Sequence, residues 1–176
     1  MSQVNVLVAV DAQALAQQVS DKSLSAGTVN SPTNLGAWQS SDVYISMVAQ
    51  HSVAVNEQGQ SELRIKANSG DIVNWFMSTF GNNTDYTASL YAGTFNPSNG
   101  IQVFGNTTSE ANNYLFDSEG NDSLNISKYI NTYDSFEAKL TKVNQTIQYT
   151  LSFVLVDNNT GDTIGYFTWD PFINVA

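Results

Sequence analysis

The chain has 176 residues, 16 acidic groups against six Lys and Arg, and a formal net charge of −10. That balance excludes a nucleic-acid partner, whose affinity comes from clustered cations releasing counterions, and it disfavours an anionic membrane surface equally. With no cysteine, disulfides and thiolate metal sites are ruled out, and the length suits a single domain over 1–176.

Apolar residues make up 41% and charged residues only 12%. A full core is therefore available, and Asn, Gln, Ser and Thr must cover most of the surface. The opening M-S-Q-V-N-V-L-V-A-V-D has no positively charged start, and its apolar run is broken at Asn5. No stretch reaches the ~20 apolar residues that span a bilayer. The expectation is a soluble, cytoplasmic protein without a signal peptide. Sequons at Asn82, Asn106, Asn121, Asn125, Asn144 and Asn158 are what chance gives in a chain this rich in Asn, Ser and Thr.

Val4, Val6, Val8 and Val10 alternate with Asn5, Leu7 and Ala9, which predicts a first strand. Asp11 then stands in capping position before A-Q-A-L-A-Q-Q-V, enough for one or two helical turns. Ser25 to Gly36 is a polar loop full of turn formers, long enough to suspect a function. Strands resume at Val43–Ala49 and at Glu62–Ala67, the latter with Leu63, Ile65 and Ala67 on one face and Arg64 and Lys66 on the other. Ile72 to Phe80 is apolar on both faces and reads as a central strand, and Tyr86 to Tyr91 as another. G-T-F-N-P-S-N-G, Gly93 to Gly100, is read as a loop.

Gly105 to Asp134 is the least regular third, holding short apolar pieces, Y-L-F and L-N-I, among Asn, Ser, Asp and Gly. Alternation returns at Phe136–Lys142 and is cleanest from Ile147 to Val156. D-N-N-T-G-D, Asp157 to Asp162, is a hairpin loop leading into G-Y-F-T-W-D-P-F-I, Gly165 to Ile173. In that last stretch Phe167 and Trp169 share a face, and Pro171 ends ladder donation, so Trp169 reads as a core plug. Eight to ten short strands with almost no helix indicate an all-β fold, a single-domain antiparallel β-sandwich or jelly roll.

Catalytic chemistry finds little to use. His51 is the sole histidine and no G-x-S-x-G elbow accompanies it. Acids at Asp117, Glu119, Asp122, Asp157, Asp162 and Asp170 could work in pairs as in glycosidases, but the sequence sets no distances among them. Asp117, Glu119 and Asp122 also form an oxygen-rich cluster of the sort calcium takes, although its order does not fit an EF-hand loop. Trp38, Tyr44, Tyr91 and Tyr114 lie in or beside Asn/Ser-rich loops, which are the ingredients of a glycan site. The expectation is a non-enzyme with no obligatory cofactor.

Five segments together resemble a known family: V-L-V-A-V-D, N-S-P-T-N-L-G, Y-I-S-M-V, K-A-N-S-G-D-I-V-N-W and L-S-F-V-L-V-D-N-N-T-G-D-T-I-G-Y-F-T-W-D-P-F-I. They are similar in order to the bacterial inclusion body proteins of the PixA/AidA group, over Val4 to Ile173. The K-A-N-S-G-D segment and the G-Y-F-T-W-D-P-F-I ending are the most specific parts. The pattern departs at Asn74 and Phe76, where the resemblance implies basic residues beside the Trp. The resemblance implies a small, non-enzymatic cytoplasmic protein that self-associates or is stockpiled at high cell density, with a link to host interaction. The other reading is a lectin-like module, calcium-assisted or not, whose partner is a glycan.

Overall fold

The computed structural model describes residues 2–36, 40–56, 58–117 and 125–175. Among these residues, eleven strands and one α-helix follow in the order β1 (Gln3–Val10), α1 (Ala12–Ser20), β2 (Thr33–Asn34), β3 (Ile45–Ala49), β4 (Arg64–Ala67), β5 (Ile72–Thr79), β6 (Tyr86–Asn96), β7 (Ile101–Asp117), β8 (Asn125–Leu140), β9 (Gln145–Asp157), β10 (Thr163–Trp169) and β11 (Phe172–Val175). One sheet runs β3-β1-β5-β8-β7. The other runs β2-β10-β9-β11-β4, with β6 along the opposite edge of β9.

Alternation explains the layering. Val4, Val6, Val8 and Val10 of β1 are buried, as are Ile147, Tyr149, Leu151, Phe153 and Leu155 of β9, and these two rows face each other across the core. β9 and β10 pair as the expected hairpin, Trp169 opposite Leu151 and Phe167 opposite Phe153. The Asp170–Pro171 corner then lets the chain continue as β11 along the same side of β9. There the Pro171 carbonyl accepts from the Tyr149 N–H at 2.9 Å.

The sandwich is mixed rather than purely antiparallel: β1 with β5, β2 with β10 and β4 with β11 run parallel. Between β1 and β5 the chain leaves through α1 and visits the other sheet at β2 and β4. It returns pointing the same way, as a parallel pair requires. The helix is longer than the one or two turns expected, capped by Asp11, whose Oδ1 accepts from the Ala14 N–H at 3.0 Å. The polar segment 25–36 is used structurally. It lies along β10, with the Tyr166 N–H on the Ala26 carbonyl and the Leu35 N–H on the Thr168 carbonyl, and so covers what would be an open edge. Gly27 sits at the closest approach: its φ is +63°, and a Cβ there would meet the Tyr166 carbonyl oxygen at 2.6 Å.

Two buried indoles cross-link the sheets. Trp75 of β5 donates its Nε1–H to the Tyr149 hydroxyl of β9 at 3.0 Å, and Trp169 of β10 points Nε1 at the Met47 Sδ of β3 at 3.4 Å. Trp75 also packs on Phe136, Phe95 and Tyr149 with ring centroids 5.1–6.2 Å apart. Gly93 of β6 makes room for this cluster, since a Cβ there would lie 3.0 Å from the Phe136 ring.

At the start of β5, the Asp71 carboxylate accepts from the N–H groups of Ser2 (2.7 Å) and Asn68 (3.0 Å), holding β1 in place. Burial works to raise its pKa. The two backbone donors and the nearby amino terminus outweigh it, leaving the group below its ordinary value.

Two outcomes follow from these contacts. Tyr149→Phe strands the Trp75 indole N–H in the core and should lower unfolding stability by about 1–3 kcal/mol, read by urea denaturation. Asp71→Asn should lose about 1–2 kcal/mol at pH 7. Because the native carboxyl titrates below the unfolded one, that difference is full above about pH 4 and shrinks as pH falls through the depressed pKa.

Candidate functional site

The residues singled out from sequence do not converge. Tyr44 is half-buried against the core, and its carbonyl accepts from the Asp11 N–H at 2.8 Å. Tyr91 is on β6 in the other sheet, edge-on to Tyr166 at 5.9 Å, with its hydroxyl on the Val29 carbonyl at 3.1 Å. Burial pushes its phenol above the ordinary value, so Tyr91 is a neutral structural tyrosine. Tyr114 stands exposed on β7. Trp38, Glu119, Asp122 and the side chain of Asp117 lie outside the described residues. Among the described residues, no group of three or more His, Cys, Asp or Glu could hold a metal ion, and His51 is exposed in a turn.

What sequence reading missed is a long β-ribbon. β7 and β8, the two longest strands, pair in register from Ile101 opposite Leu140 out to Asp117 opposite Asn125, with one irregularity between Val103 and Gly105. Only its root belongs to the sandwich. The β5–β8 ladder stops at Trp75 opposite Phe136, although β5 continues to Thr79. Beyond that point, among the described residues, β7 and β8 are each other's only ladder partners.

Strand alternation assigns the ribbon two faces. The face continuous with buried Phe136 carries Ile130, Tyr114, Ile126 and Phe116, with Phe116 directly opposite Ile126. Between Phe136 and this outer cluster the face is polar, with Asp134 and Thr132 on β8 and Thr108 and Glu110 opposite them on β7, and Lys128 lies opposite Tyr114. Phe116 and Ile130 are each 66% exposed and Tyr114 56%. The other face carries Leu115 and Tyr129. The legible signals were Y-L-F and the alternate Ile126 and Ile130.

Where β8 turns away from β5, a cleft of about 960 Å³ opens between the sheet and the root of the ribbon. Phe76 and Met77 line it from β5, Ala88 and Leu90 from β6, and Asn131 to Phe136 from β8. Asn106 of β7 bridges it, donating its Nδ2–H to the Leu90 carbonyl at 2.6 Å. Among the described residues Asp134 is the one carboxylate on the wall, and Thr108 donates to it at 2.8 Å.

The whole architecture has a solved counterpart. The crystal structure of the inclusion body protein PixA from Burkholderia cenocepacia J2315 superposes with a TM-score of 0.72 at 17% identity, covering 99% of this chain and 96% of that one. The family model described as PixA, inclusion body protein, matches residues 2–175. The chain belongs to the PixA inclusion body protein family.

The cysteine protease inhibitor EhICP2 from Entamoeba histolytica (TM-score 0.28, 12% identity, 63% of this chain and 84% of that one) and amebosin (0.22, 11%, 64% and 88%) show no common fold at those scores. No curated protein sequence matches. Within the PixA fold, the segments that carried the resemblance are structural: K-A-N-S-G-D is the β4–β5 turn that anchors the chain start through Asp71, and Y-F-T-W-D-P-F-I is the β10–β11 corner. Asn74 and Phe76, where basic residues were expected, sit on the outer side of β5. Asn74 is buried there, its Nδ2–H on Asn5 Oδ1 at 3.0 Å.

Body and ribbon should separate in a stability measurement. At sub-micromolar concentration Phe116→Ser should shift unfolding by less than about 0.5 kcal/mol, because Phe116 is largely exposed. Trp169→Ala, in the core, should lose about 3–5 kcal/mol in the same urea titration.

Proposed function

We propose that this protein has no enzymatic role and self-associates through the β7–β8 ribbon into dense cytoplasmic deposits, as the description of its family implies. The supporting observation is the exposed apolar cluster of Tyr114, Phe116, Ile126 and Ile130 at the outer end of one ribbon face. A two-stranded ribbon alone is marginal in water, and a hydrophobic one needs a third layer or more strands. A second copy supplies that layer with the same face.

Size makes the contact a weak one. Tyr114, Phe116, Ile126 and Ile130, the apolar residues of that face, are each more than a third exposed. At roughly 100 Å² apiece they offer about 400 Å² per copy, or about 800 Å² across a symmetric contact, below the range of stable specific interfaces, so association depends on high concentration and on many contacts together. The edge of β7 is also unguarded: between Ile101 and Asp117 it has no Lys, Arg or Pro to discourage further pairing. A surface of short polar side chains assists dense packing, since few long charged chains must be immobilised at each contact.

Charge opposes assembly. With a net charge of −10 and a pI near 4.1, copies repel at neutral pH, and added salt or acid relieves that repulsion. Sedimentation and light scattering should therefore show mass rising with concentration, and rising further with ionic strength or as pH falls toward about 5. Phe116→Ser with Ile130→Ser should weaken association by tenfold or more. A wild-type chain that stays monomeric at millimolar concentration and high salt overturns the reading.

A further inference from the structure

We propose that the cleft at the root of the ribbon is a binding site for a neutral oligosaccharide. The inference is independent of self-association, which uses the outer part of the ribbon.

The cleft exists because one ladder ends early. β8 leaves β5 after Trp75–Phe136, and the fork between Phe76–Thr79 and Asn131–Ser135 is floored by β6 of the opposite sheet. Its volume, about 960 Å³, is at the upper end of the ~300–1,000 Å³ typical of small-ligand sites, room for several sugar rings rather than one.

The lining selects the ligand class. Among the described residues no Lys, Arg or His lines the cleft, so phosphate, sulfate and carboxylate ligands meet no counter-charge there. A cation would find a single carboxylate, Asp134, already bonded to Thr108. A wholly apolar ligand would strip water from Asn131, Thr132, Ser78 and Ser89 and give them nothing in return. A sugar meets both halves of the lining. Its C–H faces suit the half-buried Phe76 and Tyr133, and its hydroxyls both donate to and accept from Asn and Ser side chains. The buried Asn74 Oδ1, beside this wall in sequence, is an acceptor with no partner among the described residues.

An extended peptide is the competing occupant, since a fork in a sheet offers backbone groups. On β5 little ladder is available. The alternation that sends the Ile72 and Phe80 N–H groups to β1-side carbonyls turns those of Met77 and Thr79 toward the fork. The Thr79 N–H is already taken by Asn83 Oδ1 at 3.0 Å, so Met77 alone remains on that arm. A strand could add only along the β8 edge past Phe136, and a peptide library tests that occupant directly.

The experiment is an array of neutral oligosaccharides, with anionic glycans and a peptide library beside it, followed by titration calorimetry on the best neutral probe. Wild type and Phe116→Ser should bind alike and saturably. Phe76→Ala with Tyr133→Ala, and separately Asn131→Ala, should each weaken binding tenfold or more while keeping a native circular dichroism spectrum and urea midpoint. Should the double variant unfold, Asn131→Ala on its exposed strand decides the matter. A blank neutral array at millimolar concentration, unchanged affinity in the cleft variants, or preferential binding of anionic glycans or peptides would each overturn the assignment.

Discussion

The hydrogen bond from the Trp75 indole to the Tyr149 hydroxyl sets the spacing on which the rest is arranged. Both groups are buried, and neither has water to turn to, so the sheets must meet at the distance this donor and acceptor allow. Burial raises the Tyr149 phenol well above its ordinary range, so it stays protonated and keeps its place in the core at any ordinary pH. The same Trp75 is the last β5 residue paired with β8. One residue thus closes the core on one side and marks where the sheet divides on the other.

That division separates two kinds of surface. Up to Trp75 and Phe136, apolar side chains have an opposing sheet. Beyond them β5 ends in a polar turn held by Asn83, while β8 runs out on the ribbon through a polar stretch to the exposed Ile130 and Ile126. The cleft occupies the angle between. Its lining mixes apolar residues of β5 and β6 with amides from the body (Asn5, Gln50, Asn82 and Asn83) and from the ribbon (Asn106 and Asn131).

The parts legible in the sequence are those where burial imposes a period. Ile147 to Val156 alternates because one face lies in the core, and D-N-N-T-G-D closes the hairpin that fixes its register. Trp169 was readable as a core plug from its face alone. The parallel pairs were not readable, because a turn signal reports only the neighbour next in sequence, and β1 meets β5 after a detour through the other sheet. The ribbon was hidden for the opposite reason. Neither of its faces is buried within the chain, so Asn, Ser and Thr fill it and strict alternation is absent. The cleft residues Phe76, Asn131 and Tyr133 belong to strands that part company, a fact carried by no local pattern.

The ribbon also obeys a parity rule. It is fastened only at its root, so its length is free to vary, but only in steps of two residues per strand. A pair added to each of β7 and β8 would carry Phe116 and Ile126 about 7 Å farther out on the same side. A single residue added to each, anywhere between root and tip, would turn that apolar row to the opposite face and leave the sandwich beneath it untouched.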